Sequence, residues 1–290
     1  MSSAPRIRRR ATAAARAIVP ARESPPTPPA TLLAVAAGGL ALLVASALAD
    51  SSPARAAPLD RHLRRLVRAR FRDRLPEGPG WWPALETRRH RVAESAGGLA
   101  GDWTTLAACA LAALAVARRR GPATALPVLV AAQIGNSAHG LVKYRVERPR
   151  PLTARLTGKH TPSFPSGHAA RGAAMAGILA YVAAREGVLA PRASLSLGTA
   201  VALAGGGGRL YVDRHWATDA LGGWGLGAAV AALCAIWYDV ARERRSSRDA
   251  GERGDVSGTP RASPPLPVIA ERKCPSGSGR PAASRASSSR

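Results

Sequence analysis

The chain has 290 residues, with 42 Lys+Arg against 18 Asp+Glu and a formal net charge of +24. Only Lys143, Lys159 and Lys273 are lysines, so the charge is carried by arginine. No Gly-x-y period or sustained heptad is present, and three cysteines are too few and too dispersed for a disulfide framework or a metal knuckle. A mean hydropathy of −0.06 averages an apolar middle with strongly polar ends.

Residues 1–30 carry Arg6, Arg8, Arg9, Arg10, Arg16 and Arg22 followed by PPTPP, a composition that predicts a disordered basic tail. Residues 31–49, TLLAVAAGGLALLVASALA, run without a charge. A helix rising ~1.5 Å per residue needs about 20 apolar residues to cross a bilayer core, so this is the first expected span. Ala47-Leu48-Ala49 ahead of Asp50 has the form of a signal-peptidase site. The preceding basic region is longer than a signal peptide's, so a retained helix is the preferred reading.

Between this span and the next, Leu59, Leu63, Leu66, Val67 and Leu75 fall near helical spacing with Arg61, Arg64, Arg65, Arg68 and Arg72 between them. The pattern predicts an amphipathic helix on a membrane surface, its arginines reaching to phosphate level and Trp81 and Trp82 at the interface. Apolar stretches follow at roughly 95–117, 122–142, 167–184, 190–208 and 217–238. Their Ala/Gly content suits close helix contact in a membrane. The expected fold class is therefore all-α, a polytopic membrane helical bundle of about six transmembrane helices over residues 31–240. Asp102 lies near the outer part of the second stretch beside Trp103 and is read as interfacial.

Residues 241–290, rich in Arg, Ser, Pro and Gly, predict a second disordered basic tail. No aromatic residues interleave with the tail arginines, so nucleic acid is not an expected partner; anionic lipid headgroups are.

Polar residues gather in three places outside the apolar runs. Lys143 and Arg150-Pro151 follow the third stretch, Pro165-Ser166-Gly167-His168 opens the fourth, and Arg209, His215 and Asp219 lie between the fifth and the sixth. The first two clusters flank one loop, and two further crossings return the chain to that side, so all three are expected on one membrane face. Lys143, Arg150 and Arg209 supply cations suited to a phosphate. Ser166 is a favoured helix N-cap, Gly167 permits close backbone approach, and a helix N-terminus beside them attracts anions. Four residues separate His215 from Asp219, which lets the carboxylate orient the imidazole. Charge stabilisation, a nucleophile and an acid are the parts phosphoryl transfer requires.

These residues resemble the signatures of the type 2 phosphatidic acid phosphatase (PAP2) superfamily, K-x6-R-P, P-S-G-H and S-R-x5-H-x3-D, in its membrane-bound lipid phosphatase branch. Gly208 stands where the third signature has Ser. The resemblance covers about residues 31–238. It implies that His215 is the nucleophile and forms a phosphohistidine, that Asp219 orients it, and that His168 protonates the leaving oxygen. Lys143, Arg150, Arg209 and the backbone near Ser166 and Gly167 would hold the phosphate. It implies no metal or other cofactor, and no acidic cluster with Mg²⁺-type spacing lies near these residues. Glu147 and Asp213 are read as salt-bridge partners of neighbouring arginines.

The expected substrate is a lipid phosphate or diphosphate: phosphatidate, phosphatidylglycerophosphate or a polyprenyl phosphate. With the N-terminus inside, Arg118, Arg119, Arg120, Arg185 and Arg192 fall on the cytoplasmic side with both tails, and the site faces outward across the cell membrane. Two alternatives carry different expectations. A non-enzymatic lipid-phosphate binder would retain headgroup binding without His215, and a vanadium haloperoxidase-like protein would halogenate with vanadate.

Overall fold

The computed structural model describes residues 22–49, 58–71, 88–151, 154–155 and 158–256. Leu75, Trp81 and Trp82 lie outside the described residues, as do residues 1–21 of the N-terminal tail and 257–290 of the C-terminal one. The chain divides into a unit of residues 1–248 and a second of 249–290. In the second, residues 249–256 are helical; the first contains everything discussed below.

The described residues are helical, without strands. In chain order the helices are α1 (Pro29–Leu48), α2 (Pro58–Phe71), α3 (Arg88–Gly98), α4 (Asp102–Arg120), α5 (Pro122–Val146), α6 (Gly167–Arg185), α7 (Pro191–Tyr211) and α8 (Ala217–Val256). Prolines open α1, α5 and α7, where a first-turn residue needs no N–H. Gly121 at φ 88° separates α4 from α5, after Arg118–Arg120 have favoured the α4 C-terminus electrostatically.

Among the described residues three helices, α1, α5 and α8, are long and apolar enough to cross a membrane, and the α3–α4 pair makes a fourth if taken as one bent span. The second expected span is thus broken: α3 ends at Gly98, and α4 starts at Asp102 after a 45° bend. Gly97, Gly98 and Gly101 cluster at that break, where glycine's low helix propensity favours a turn. The fourth and fifth expected spans form α6 and α7. Their apolar character is diluted by His168, Arg171 and Arg185 in one, and by Arg192, Arg209 and a run of four glycines in the other.

α6 packs along α7 and against α5, α5 pairs with α4, and α3 lies on α7. Small side chains bring the helices close. A Cβ on Gly39 of α1 would sit 2.4 Å from the Gly225 carbonyl oxygen of α8, so the two backbones cross in near contact. The core is correspondingly built from alanine, with Tyr238, Phe164, Ile178 and Val128 the largest apolar or aromatic groups fully enclosed.

Two ends of the bundle are polar. At one, Arg120 pairs with Glu186 at 3.0 Å and with Glu23, Arg242 also reaches Glu23, and Arg185 pairs with Asp239 at 2.8 Å. The other end holds the residues singled out by sequence.

α2 departs from a simple surface helix. Leu59, Arg61, Arg65 and Leu66 are exposed, but Asp60 is 1% exposed and accepts from the Thr218 N–H at 2.8 Å and hydroxyl at 2.7 Å. This carboxylate docks α2 on the start of α8 and caps that helix.

Candidate active site

The loop from Val212 to Trp216 turns between α7 and α8, with Asp213 in the left-handed conformation at φ 54°. It delivers His215 into the interior, 7% exposed. Its Nδ1 lies 3.0 Å from the Ser163 carbonyl oxygen and 3.4 Å from Asp219 Oδ2. Both neighbours are acceptors, so the ring proton belongs on Nδ1 and the Nε2 lone pair is turned the other way. Arg150 Nη1 donates to that Nε2 at 3.2 Å. The same guanidinium is held by the carbonyls of Thr161 at 2.8 Å and Arg214 at 3.0 Å.

Asp219, fully enclosed, serves several groups at once. Oδ2 accepts from the Trp216 N–H at 2.9 Å, Oδ1 accepts from Arg148 Nη1 at 2.9 Å, and the backbone carbonyl accepts from the Ser166 N–H at 2.9 Å. Arg148 also donates to the Thr218 hydroxyl at 2.7 Å and the Ser46 carbonyl at 2.9 Å, and its guanidinium lies 4.6 Å from the Phe164 ring centroid. Arg148 thus neutralises Asp219, ties α1 to the site and stacks on the loop before α6.

On the opposite side, Arg209 Nη2 donates to His168 Nε2 at 2.7 Å, while its Nη1 pairs with Glu94 at 2.9 Å. Glu94 reaches Arg214 at 2.8 Å as well. This contact requires α3 to lie tight on α7, and Gly208 permits it. A Cβ at Gly208 would fall 2.4 Å from the Ala93 carbonyl oxygen. The departure from the serine of the signature therefore has a steric cause: α3 occupies its place.

The carboxylates settle on the surplus arginines in an orderly way. Asp219 takes Arg148, Glu94 takes Arg209 and Arg214, and Asp102 takes Arg171 at 2.6 Å. Asp102 is thus both well exposed and an ion-pair partner of a buried arginine in α6. Among the described residues Arg150 is left without a carboxylate, and the Lys143 ammonium makes no ion pair or hydrogen bond. Two uncompensated cations beside the histidines make a site for an anion.

Ser166 behaves differently from expectation. It occupies the N-cap of α6, yet its hydroxyl is buried without a partner and caps nothing. Its N–H is taken by Asp219, so the free amides for an anion are those of the first turn that starts at Gly167. Glu147 is the left-handed C-cap of α5 at φ 47°, and among the described residues it forms no ion pair; its role is to reverse the chain between Lys143 and Arg150. Among the described residues, no three His, Cys, Asp or Glu side chains converge as a metal site would require.

Burial pushes the His215 imidazole below the usual histidine range, against the pull of Asp219, which favours the protonated ring; Arg150 and Lys143 act in the same direction as burial. The folded protein therefore resists protonating a group that the unfolded chain protonates below about pH 6.5. Stability from keeping His215 neutral is complete above that pH and is lost as pH falls toward the lower folded value. In His215→Gln this component disappears. The thermal midpoint of the variant should fall less than that of the wild type between about pH 7.5 and about pH 5.5. Parallel falls would contradict a neutral buried imidazole.

Residues 123–243 match the family model of the PAP2 superfamily. The fold resembles the crystal structure of a transmembrane PAP2-type phosphatidylglycerolphosphate phosphatase from Bacillus subtilis, at TM-score 0.53 and 19% identity, over 68% of this chain and 94% of that one. No curated protein matches the chain. Lys143, Arg150, Ser166, Gly167, His168, Arg209, His215 and Asp219 all fall inside the matched region, joined there by Arg148. Through residues 123–243 the chain matches the PAP2 superfamily, and its fold is similar to that of a transmembrane PAP2-type phosphatase.

Proposed function

We propose that the protein hydrolyses a lipid phosphate or diphosphate at the membrane surface through a phosphohistidine on His215. The observation that carries this reading is the orientation of one ring. Ser163 and Asp219 hold His215 Nδ1–H, which leaves Nε2 as a lone pair beside the uncompensated Arg150.

A phosphate oxygen replacing that lone pair as the partner of Arg150 brings phosphorus to Nε2. Lys143, Arg209 and the first-turn amides of α6 spread the charge that develops on the equatorial oxygens. The Nε2 pair forms the P–N bond, the P–O bond to the lipid breaks, and His168 gives its proton to the leaving oxygen. While Arg209 donates to His168 Nε2 the ring is neutral; Arg209 turning to the phosphate frees Nε2 to take a proton from the arriving phosphate monoanion, and that proton is the one passed to the leaving oxygen. Water then attacks phosphorus, His168 takes its proton, and the P–N bond breaks to release phosphate and neutral His215. None of these steps calls on a metal.

A site at the ends of apolar helices suits a phosphate carried on a lipid. The reading places six spans in the bilayer, with α4, α6 and α7 crossing beside α1, α5 and α8. The arginine-rich opposite end, with Arg118–Arg120, Arg185 and Arg192, is assigned to the cytoplasm. Phosphatidate, phosphatidylglycerophosphate and polyprenyl phosphates and diphosphates are the substrates to offer.

The test is phosphate release from this panel by detergent-solubilised protein with EDTA present. EDTA-resistant turnover supports the reading, and the preferred lipid names the substrate. Lipid phosphate binding without release from any member would replace the phosphatase with a binding protein.

A further inference from the structure

A cavity of ≈ 730 Å³ runs along the bundle, away from the catalytic loops. Its walls come from α1 and α7 and from one face each of α6 and α8. It begins at Ala173, Ala202 and Trp224, whose indole N–H donates to the Ala202 carbonyl at 2.9 Å. These lie on the same helices as His168, Arg209 and Asp219, about 8–10 Å farther along by helical rise. From there the groove follows alanines and glycines of α6 and α8 as far as Arg185 and Ala235. Small residues elsewhere let the helices touch; here they leave an apolar channel of the size that holds a small ligand.

The far end is closed by the chain ahead of α1. The Ser24 N–H donates to the Ala184 carbonyl at 3.2 Å, Arg185 donates to the Ser24 carbonyl, and the Thr27 N–H donates to the Tyr181 hydroxyl at 3.3 Å. Glu23 fastens this strap to Arg120 and Arg242. Pro25, Pro26 and Pro28 line the groove floor.

We propose that this groove holds the hydrocarbon chain of the substrate lipid, and that the Ser24–Pro28 strap sets the longest chain accepted. The proposal rests on the phosphatase reading. It commits to the substrate's own chain rather than bulk lipid because the groove points at the phosphate-binding residues along the three helices that carry them. A phosphate at Arg150 directs its chain down that line, and the groove receives the part beyond the first few carbons.

The experiment measures kcat/KM for phosphate release from alkyl phosphates of increasing chain length. Ala202→Trp blocks the groove near its mouth, and Leu195→Trp blocks it about 10 Å nearer the floor. Both sit on α7 away from the catalytic groups, and Leu195 is exposed, so at least the second variant retains its fold. Ala202→Trp should lose about tenfold or more on long chains, the scale of expelling two or more methylenes, and keep its activity on the shortest. Leu195→Trp should lose only the longest chains, and Glu23→Ala, which frees the strap, should extend the series beyond the wild-type limit. The same chain-length profile in all four proteins, or equal losses on short and long chains, would overturn the groove assignment while leaving the phosphatase intact. A wild type inactive on every member would overturn both.

Discussion

His215→Ala is expected to lower phosphate release by about four orders of magnitude or more, the scale on which removal of a nucleophile acts in enzymes with a covalent intermediate. The reason is geometric. The other side chain that accepts from Arg150 is the Thr161 hydroxyl at 3.2 Å, which is not activated by a base, and His168 lies on the Arg209 side of the site with its own Nε2 engaged there. The cations proposed to hold phosphate, Lys143, Arg150 and Arg209, remain in the variant, so lipid phosphate binding should persist within a few-fold. The pair of measurements, turnover and binding, separates loss of chemistry from loss of fold. Residual turnover within tenfold of wild type would assign the nucleophile elsewhere.

Arg148→Ala should be the most damaging substitution for stability. The residue is 3% exposed, and its guanidinium is the partner of the fully enclosed Asp219 and reaches Thr218 and Ser46 besides. Removal strands a buried carboxylate, a loss on the order of 3–5 kcal/mol. Arg148→Lys should recover only part of it, because an ammonium cannot fork between Asp219, Thr218 and the Ser46 carbonyl. Thermal unfolding in detergent reads both. Activity should fall with stability and be partly restored at low temperature in Arg148→Lys. An Arg148→Ala protein as stable as the wild type would show that Asp219 does not depend on this pair.

The residues proposed to carry chemistry stood out in the sequence because phosphate recognition demands particular types at fixed spacings. Counting apolar runs also put the three clusters at one end, as the Arg150–His215 and Arg209–His168 contacts show. The supporting residues were not legible, for physical reasons. Arg148 stands two residues from Arg150 in a run of cations, where nothing in one dimension separates the buried arginine from the one proposed to bind phosphate. Asp60 lies in a helix whose arginines suggested a membrane surface and Glu94 just ahead of an apolar stretch, and only the packing of α2 on α8 and α3 on α7 gives them partners. The break at Gly97–Gly101 was hidden because apolar residues continue through it. Ser166 takes the N-cap position of α6 as expected, but its buried hydroxyl makes no capping bond. Gly208, a departure in sequence, became intelligible once the Ala93 carbonyl was seen where a side chain would be.

The central claim is a covalent histidine intermediate, and the most direct measurement is to trap it. Wild type and His215→Ala would be mixed with a lipid phosphate radiolabelled at the transferable phosphorus, quenched in alkali within the first turnovers, and counted for protein-bound label. The account predicts label in the wild type that survives alkali, is released by acid as a phosphoramidate is, maps to the peptide containing His215, and is absent from the variant. Full turnover in the wild type with no protein-bound label at any quench time, or equal label in His215→Ala, would contradict it.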